Sequence, residues 1–244
     1  MDRAIYTAMG AANAARNRQA VTSNNLANAS TPGFRAQLMA YRAVPVNGPG
    51  AETRAHVTES TPYHDTSMGA INHTGRDLDV ALPQNGWLAV EMADGTEAYT
   101  RAGNIDVDAD GQLRVRGYAL VGDGGPIAIP PQSEVTIGPD GTISVLGAGD
   151  EPSAMAQVGR IKIVNGEAMA LQLGDDGLYH GGEGVAPADL DMKLIPGALE
   201  SSNVSPVKGM VDMIATARSF EMQMKVISTA DENARSANQL LTIA

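Results

Sequence analysis

Residues 205–241 read SPVKGMVDMIATARSFEMQMKVISTADENARSANQLL. Ser205 suits a helix N-cap and Pro206 a first helical residue. From there Met210, Met213, Ala217, Phe220, Met224, Ile227, Asp231, Ala234, Asn238 and Leu241 alternate steps of three and four. That is the spacing of a heptad seam, and it predicts a helix over four heptads with no proline inside it. Asp231 and Asn238 interrupt the seam with the kind of polar residue that fixes register and partner number. A single amphipathic helix packed on its own domain fits the same periodicity.

The other end of the chain carries a matching pattern. Ile5, Ala8, Ala12, Ala15, Gln19, Thr22 and Leu26 also step by three and four. The residues are small, so a partner helix can come close, and alanine is the best helix former. Ser30-Thr31-Pro32-Gly33 is a turn sequence that stops the helix. Two helices at opposite chain ends with one periodicity are expected to pack together. Each is marginal alone in water and orders against a partner.

Between them the pattern changes. Short β-prone runs occur at 78–82, 87–92, 98–100, 105–107, 113–115, 127–129, 135–137, 143–146, 161–164 and 178–180. Asp-Gly stands at 94–95, 110–111, 140–141 and 176–177. Asp-Gly between apolar runs signals a hairpin, read here as a turn with positive φ at both central residues. The fold class expected is α+β: long terminal helices packed together in coiled-coil fashion, with an inserted, mainly antiparallel β domain. The boundaries expected are 1–32 plus 204–244 for the helical domain, 33–75 plus 190–203 for an extended connector, and 76–189 for the β domain.

The chain has 244 residues, 43% of them hydrophobic but only 4% aromatic, so its core must rest on Ala, Val, Leu, Ile and Met. Formal net charge is −11. Residues 1–35 are net basic, residues 206–244 neutral, and the middle holds the acidic excess. This disfavours nucleic acid and anionic membrane surfaces as partners. Cysteine is absent, which excludes disulfides, thiolate metal sites and a cysteine nucleophile. Neither a secretory signal nor a 20-residue apolar span is legible. On these grounds alone the chain reads as soluble and cytoplasmic.

No catalytic constellation emerges. Asp106-Val107-Asp108-Ala109-Asp110-Gly111 opens like a calcium loop, but position twelve, where a bidentate Glu is needed, is Gly117. A hairpin turn is the preferred reading. His56, His64, His73 and His180 stand at no ligand spacing and read as loop histidines. Gly122-Asp123-Gly124-Gly125 lacks the Lys-Ser/Thr of a phosphate loop. No cofactor and no enzymatic activity are expected; a structural or binding role is favoured.

Two segments carry a specific resemblance. Asn24-Asn25-Leu26-Ala27-Asn28 followed by Ser30-Thr31-Pro32-Gly33-Phe34-Arg35 resembles the N-terminal signature of the flagellar rod and hook axial family. Gly197, Leu199-Glu200, Ser202-Asn203-Val204, Met213-Ile214, Arg218-Ser219-Phe220-Glu221, Lys225 and Asp231 are similar to its C-terminal signature. Asp77-Leu78-Asp79-Val80-Ala81, Gly86-Trp87 and Tyr99-Thr100-Arg101-Ala102-Gly103-Asn104 look like its β domain. Ser205-Pro206-Val207-Lys208-Gly209 departs from the pattern, where relatives often carry more acidic, stronger helix formers.

The resemblance implies a structural subunit of the flagellar basal-body rod, in its proximal part. Such a subunit leaves through the flagellar type III export apparatus without a cleaved signal and assembles in the periplasm. Its implied partners are other rod subunits (FlgB, FlgC and FlgG), copies of itself and the surrounding ring proteins. Assembly would run through Ile5, Ala8, Ala12, Asn24, Asn25, Leu26, Asn28, Thr31, Pro32, Gly33 and Phe34 at one end. At the other it would use Leu199, Glu200, Asn203, Val204, Met210, Met213, Ile214, Ala217, Arg218, Phe220, Glu221, Met224, Lys225, Ile227 and Asp231. The amides of Asn24, Asn25 and Asn28 would satisfy backbone or cross-subunit groups, or simply cap the helix. A distal-rod or hook-type axial protein is the near alternative. A secreted hydrolase or calcium-binding β module and an export chaperone are the alternatives of other classes.

Overall fold

A computed structural model describes residues 2–45, 55–59, 63–131, 133–147, 149, 151, 154–169, 171–174, 176–182 and 184–242. The chain divides into two compact units. One comprises 1–29, 35–65 and 204–244, the other 30–34 and 66–203.

The first unit is built on two helices, α1 (Asp2–Ala27) and α2 (Pro206–Thr242), packed together. Ala8, Ala12 and Ala15 are all under 9% exposed, so the alanine row of α1 is its inward face. A Cβ on Gly209 would stand 3.8 Å from Leu26 Cδ1, so the end of α1 meets the start of α2 and the helices run antiparallel. Helix α2 begins at Pro206, where the Gly209 N–H already reaches the Ser205 carbonyl at 2.9 Å. A hairpin of Tyr41–Pro45 and Ala55–Glu59 lies against α1, and Gln37–Leu38 pairs with Tyr63–His64. Paired strands thus occupy part of the stretch expected as an extended connector. Alternating Tyr-Arg-Ala-Val and Ala-His-Val-Thr suit a ladder, although their periodicity is too short to stand out.

The second unit is mainly a nine-stranded sheet. Across its main path the strands are Gln172–Leu173, Tyr179–His180, Glu97–Thr100, Gly86–Glu91, Tyr118–Gly122, Leu113–Val115 and Ile105–Val107. Gly125–Pro126 and Ile163–Asn165 join it from the side. A three-stranded sheet follows, Glu134–Ile137, Thr142–Leu146 and Ala156–Arg160. Every pairing among the described residues is antiparallel. Leu82, Leu88, Ile105, Leu113, Leu120 and Ile143 are fully buried and anchor the main core. Among the described residues methionine contributes at the edge of the core: Met92 and Met192 pack partly buried on the main cluster and Met169 on a smaller one, while Met9, Met155, Met210, Met222 and Met224 are exposed.

All four Asp-Gly pairs close hairpins, by a turn different from the expected one. Gly95, Gly111, Gly141 and Gly177 have φ of 80°, 81°, 84° and 75°, while the aspartates keep negative φ. Each glycine N–H donates to the carbonyl three residues back. This is the three-residue loop ending in a left-handed glycine bulge. The carboxylates of Asp94, Asp140 and Asp176 accept the N–H two residues on, which replaces the need for positive φ at aspartate. A turn with both central residues at positive φ does occur, at Arg116 (54°) and Gly117 (87°) between Val115 and Tyr118. The Arg116 guanidinium anchors it by donating to the Gly177 carbonyl at 2.7 Å.

Candidate assembly interface

Helix α2 presents a narrow inward row. Gly209, Met213, Thr216, Ser219, Gln223, Ile227, Ala230 and Ala237 are its least exposed positions. Gly209, Thr216, Gln223, Ala230 and Ala237 recur every seven residues, and Met213 and Ile227 fill the alternate positions. More than half of the sequence-derived seam is therefore one residue out of place: 209, 216, 219, 223, 230 and 237 lie inward, not 210, 217, 220, 224, 231 and 238. The reason is steric. Alanines on α1 favour a close approach, which suits Gly209, Ser219 and Ala230 between Met213 and Ile227 and leaves Met210, Phe220 and Met224 outside. Thr216 is 6% exposed, and its hydroxyl donates to the Asp212 carbonyl at 2.7 Å, so burial leaves no polar group unmet.

The remaining apolar side chains of α2 are open among the described residues. Val207 is 74% exposed, Val211 60%, Ile214 56% and Met222 61%. Ala217, Arg218, Phe220, Glu221, Met224 and Lys225 are exposed as well. Asp231 is exposed and pairs with Arg235 at 2.7 Å. A row of this kind on one side of a two-helix unit is unusual for a chain that ends as a monomer. On α1, Ile5 and Leu26 are half-buried, while Tyr6 and Met9 are open.

The asparagines at the end of α1 have defined tasks. Asn25 grips the Gln37 backbone from both sides: its amide donates to the Gln37 carbonyl and its oxygen accepts the Gln37 N–H, both at 2.8 Å. Asn28 donates its amide to the Asn24 carbonyl at 3.0 Å and caps the helix. Asn24 itself is exposed. The start of the hairpin is held similarly, with the Tyr41 hydroxyl 3.3 Å from the Ala14 carbonyl and Arg18 stacked 5.3 Å from the Tyr41 ring centroid. Half-burial of His64 pushes its imidazole below the usual range, against a smaller opposing effect of its hydrogen bond with the Arg35 backbone.

Thr31, Pro32, Gly33 and Phe34 belong with Leu199, Glu200 and Asn203 inside the second unit, whereas Val204 opens the return to the first. The Gly33 N–H donates to the Glu200 carbonyl at 2.8 Å, and the Asn203 N–H reaches the Phe34 carbonyl at 3.2 Å. Gly33 has φ of 68°, and a Cβ there would stand 2.3 Å from the Arg101 carbonyl oxygen. Only glycine fits. The Glu200 carboxylate is buried; it accepts Arg101 Nε at 2.9 Å through one oxygen and the Gly69 N–H at 2.9 Å through the other. Arg101 Nη2 donates to the same Glu200 oxygen as Nε, and the other guanidinium N–H groups go to the carbonyls of Leu82, Pro83, Gln84 and Gly86.

The calcium-like stretch is spent on its own hairpin. Asp108 accepts the N–H groups of Asp110 and Gln112 and pairs with Arg114 Nε at 2.6 Å, and Arg114 holds its carboxyl below the usual range. Among the described residues no group of three or more His, Asp or Glu is placed to hold a metal, and no helix is long and apolar enough to cross a membrane.

Comparison with known proteins gives three family matches: "Flagella basal body rod protein" over residues 5–35, "Flagellar hook protein FlgE/F/G D1 domain" over 81–145, and "Flagellar basal body rod FlgEFG protein C-terminal" over 195–240. The first and last fall on α1 and α2, the second on the sheet. The flagellar basal-body rod protein FlgF of Salmonella typhimurium is 55% identical over 251 residues, spanning 100% of both chains. FlgF of Caulobacter vibrioides is 31% identical over 99% of this chain and 98% of its own length. The rod protein FlgG of Bacillus subtilis is 30% identical over 95% and 96%.

Proposed function

This chain belongs to the flagellar basal-body rod protein family, and from that premise we propose that it builds the proximal part of the rod through its two terminal helices. It is a structural subunit of the basal-body rod and serves motility. Full-length identity of 55% to FlgF, against 30% to the FlgG of Bacillus subtilis, supports the proximal over the distal position.

The observation that carries the reading is the open apolar surface of α2. Its residues Val207, Val211, Ile214 and Met222 all exceed half exposure, although α2 already packs on α1. Burying such side chains is worth roughly 1.5–3 kcal/mol each, and neighbouring subunits supply the cover. In the assembled rod α1 and α2 form a coiled-coil-like pair set in the wall. Copies of this chain and of FlgB, FlgC and FlgG are the neighbours, with ring proteins outside. The chain reaches the periplasm through the flagellar type III export apparatus without a cleaved signal and transmits torque as part of a stiff helical shaft. It carries out no catalysis.

Deletion of the gene, followed by swimming assays and imaging of isolated basal bodies, tests this. Loss of swimming with rods stalled near the inner membrane, restored by the intact chain, is the expected result. Complete rods and normal swimming would overturn it.

A further inference from the structure

The first unit has a cleft and, on the far side of α2, a ridge that matches it. The cleft encloses about 520 Å³. Ala11, Ala14 and Ala15 of α1, Tyr41 of the hairpin, and Ala215 and Ser219 of α2 line it, with Arg18 and Asp212 adding one charge of each sign. Its walls are therefore mostly small side chains, leaving room for large ones from outside.

The ridge is Met210, Ile214, Ala217 and Met224, of which the three large residues are 52%, 56% and 46% exposed. Nine residues are two and a half helical turns. Met210 and Ser219 are nine apart, and so are Asp212 and Glu221, and Ala215 and Met224. Ser219, Asp212 and Ala215 in the cleft thus lie diametrically opposite Met210, Glu221 and Met224. Glu221 and Lys225 are exposed on or beside the ridge. None of Arg18, Asp212, Glu221 and Lys225 forms an ion pair among the described residues.

We propose that the ridge of one copy seats in the cleft of a second copy, with Glu221 facing Arg18 and Lys225 facing Asp212. This rests on the rod reading and specifies which surfaces meet. Large side chains enter a cavity walled by small ones, and two unpaired charges meet two of opposite sign. Because donor and acceptor surfaces differ and lie on opposite sides of α2, the contact is heterologous: each copy that offers its ridge leaves its own cleft open to the next copy. Charge matching fixes the register, since a slip along the ridge would place Lys225 toward Arg18.

The chain contains no cysteine, so single cysteines can mark each surface. Ala215→Cys and Met224→Cys chains, with different tags, are produced together in cells lacking the native gene, and isolated basal bodies are oxidised. A disulfide between the two tags, absent when either variant is alone, is expected. A cross-link from Ala215→Cys to itself, or to a different rod subunit identified by mass, would overturn the pairing.

Charge reversal gives the second readout. Arg18→Glu and Glu221→Arg should each lower incorporation into basal bodies at least tenfold, and the double variant should restore it. Helix content of each purified variant separates misfolding from lost docking. Normal incorporation of the single reversals would overturn the pairing and leave the rod reading standing. Absence of the unaltered chain from basal bodies would overturn both.

Discussion

Glu200 and Arg101 are each 2% exposed, and their pairing gathers residues from segments far apart in sequence. Resemblance to the family placed Glu200 among residues that meet other subunits, yet both its oxygens are engaged within the second unit. Removing one partner strands a buried guanidinium, which typically costs about 3–5 kcal/mol. Glu200→Ala should lower the urea midpoint of the second unit accordingly. Trp87 is the chain's one tryptophan, and Arg101 lies 5.6 Å from its ring centroid, so its fluorescence reports the transition. An unchanged midpoint would show the pair to be dispensable. His64 offers a pH test in the first unit. Its folded pKa lies below the ordinary 6.5, with burial as the cause. The unfolded chain therefore takes up the proton first, so stability is full above about 6.5 and falls as pH drops through the folded value. Helix unfolding followed at 222 nm between pH 7.5 and 5.5 should show this loss, and His64→Phe should flatten it.

Elements were legible where local chemistry alone decides them. Asp-Gly marked all four hairpins because glycine at positive φ is a local demand, although the turn geometry differed once the aspartates found their own N–H partners. Tyr118–Gly122 was missed, although it pairs with strands on both sides in the sheet; only Leu120 and Val121 mark it, between two glycines. The run 127–129 was expected as a strand, but Ala128 makes one isolated bridge, while Ile127 and Ile129 are buried all the same. The seam of α2 was legible only in part because a step of three and four fits two adjacent rows equally well; hydrophobicity favoured the row with Met210, Phe220 and Met224, whereas close approach to alanines puts Gly209, Ser219 and Ala230 inward. This argues a prediction at the level of the helix pair. Ala12→Leu adds bulk at a position only 6% exposed and should cost about 1–3 kcal/mol of helix stability. Equal thermal midpoints for variant and parent would place Ala12 outside the contact.

At the level of the molecule, the two units divide the labour unevenly along the chain. α2 belongs wholly to the first unit, and the second holds its own apolar core. Deleting residues 206–244 should therefore leave the Trp87 signal and its cooperative unfolding in place while abolishing incorporation into rods. A truncated chain that still supports swimming would contradict the assembly role of α2.

The hydrogen bonds from Gly33 to Glu200 and from Asn203 to Phe34 also bear on how the protein reaches its native state. α1 and α2 stand at opposite chain ends, so closing them directly means forming a very long loop. Once the second unit has folded, its own backbone holds residues 33–34 beside 200–203. The segment still to be closed between Leu26 and Gly209 is then roughly tenfold shorter, which lowers the closure entropy by about 2 kcal/mol. The sheet is in this sense an internal template for the helix pair: once it is folded, the contact of highest sequence separation is a nearly local one.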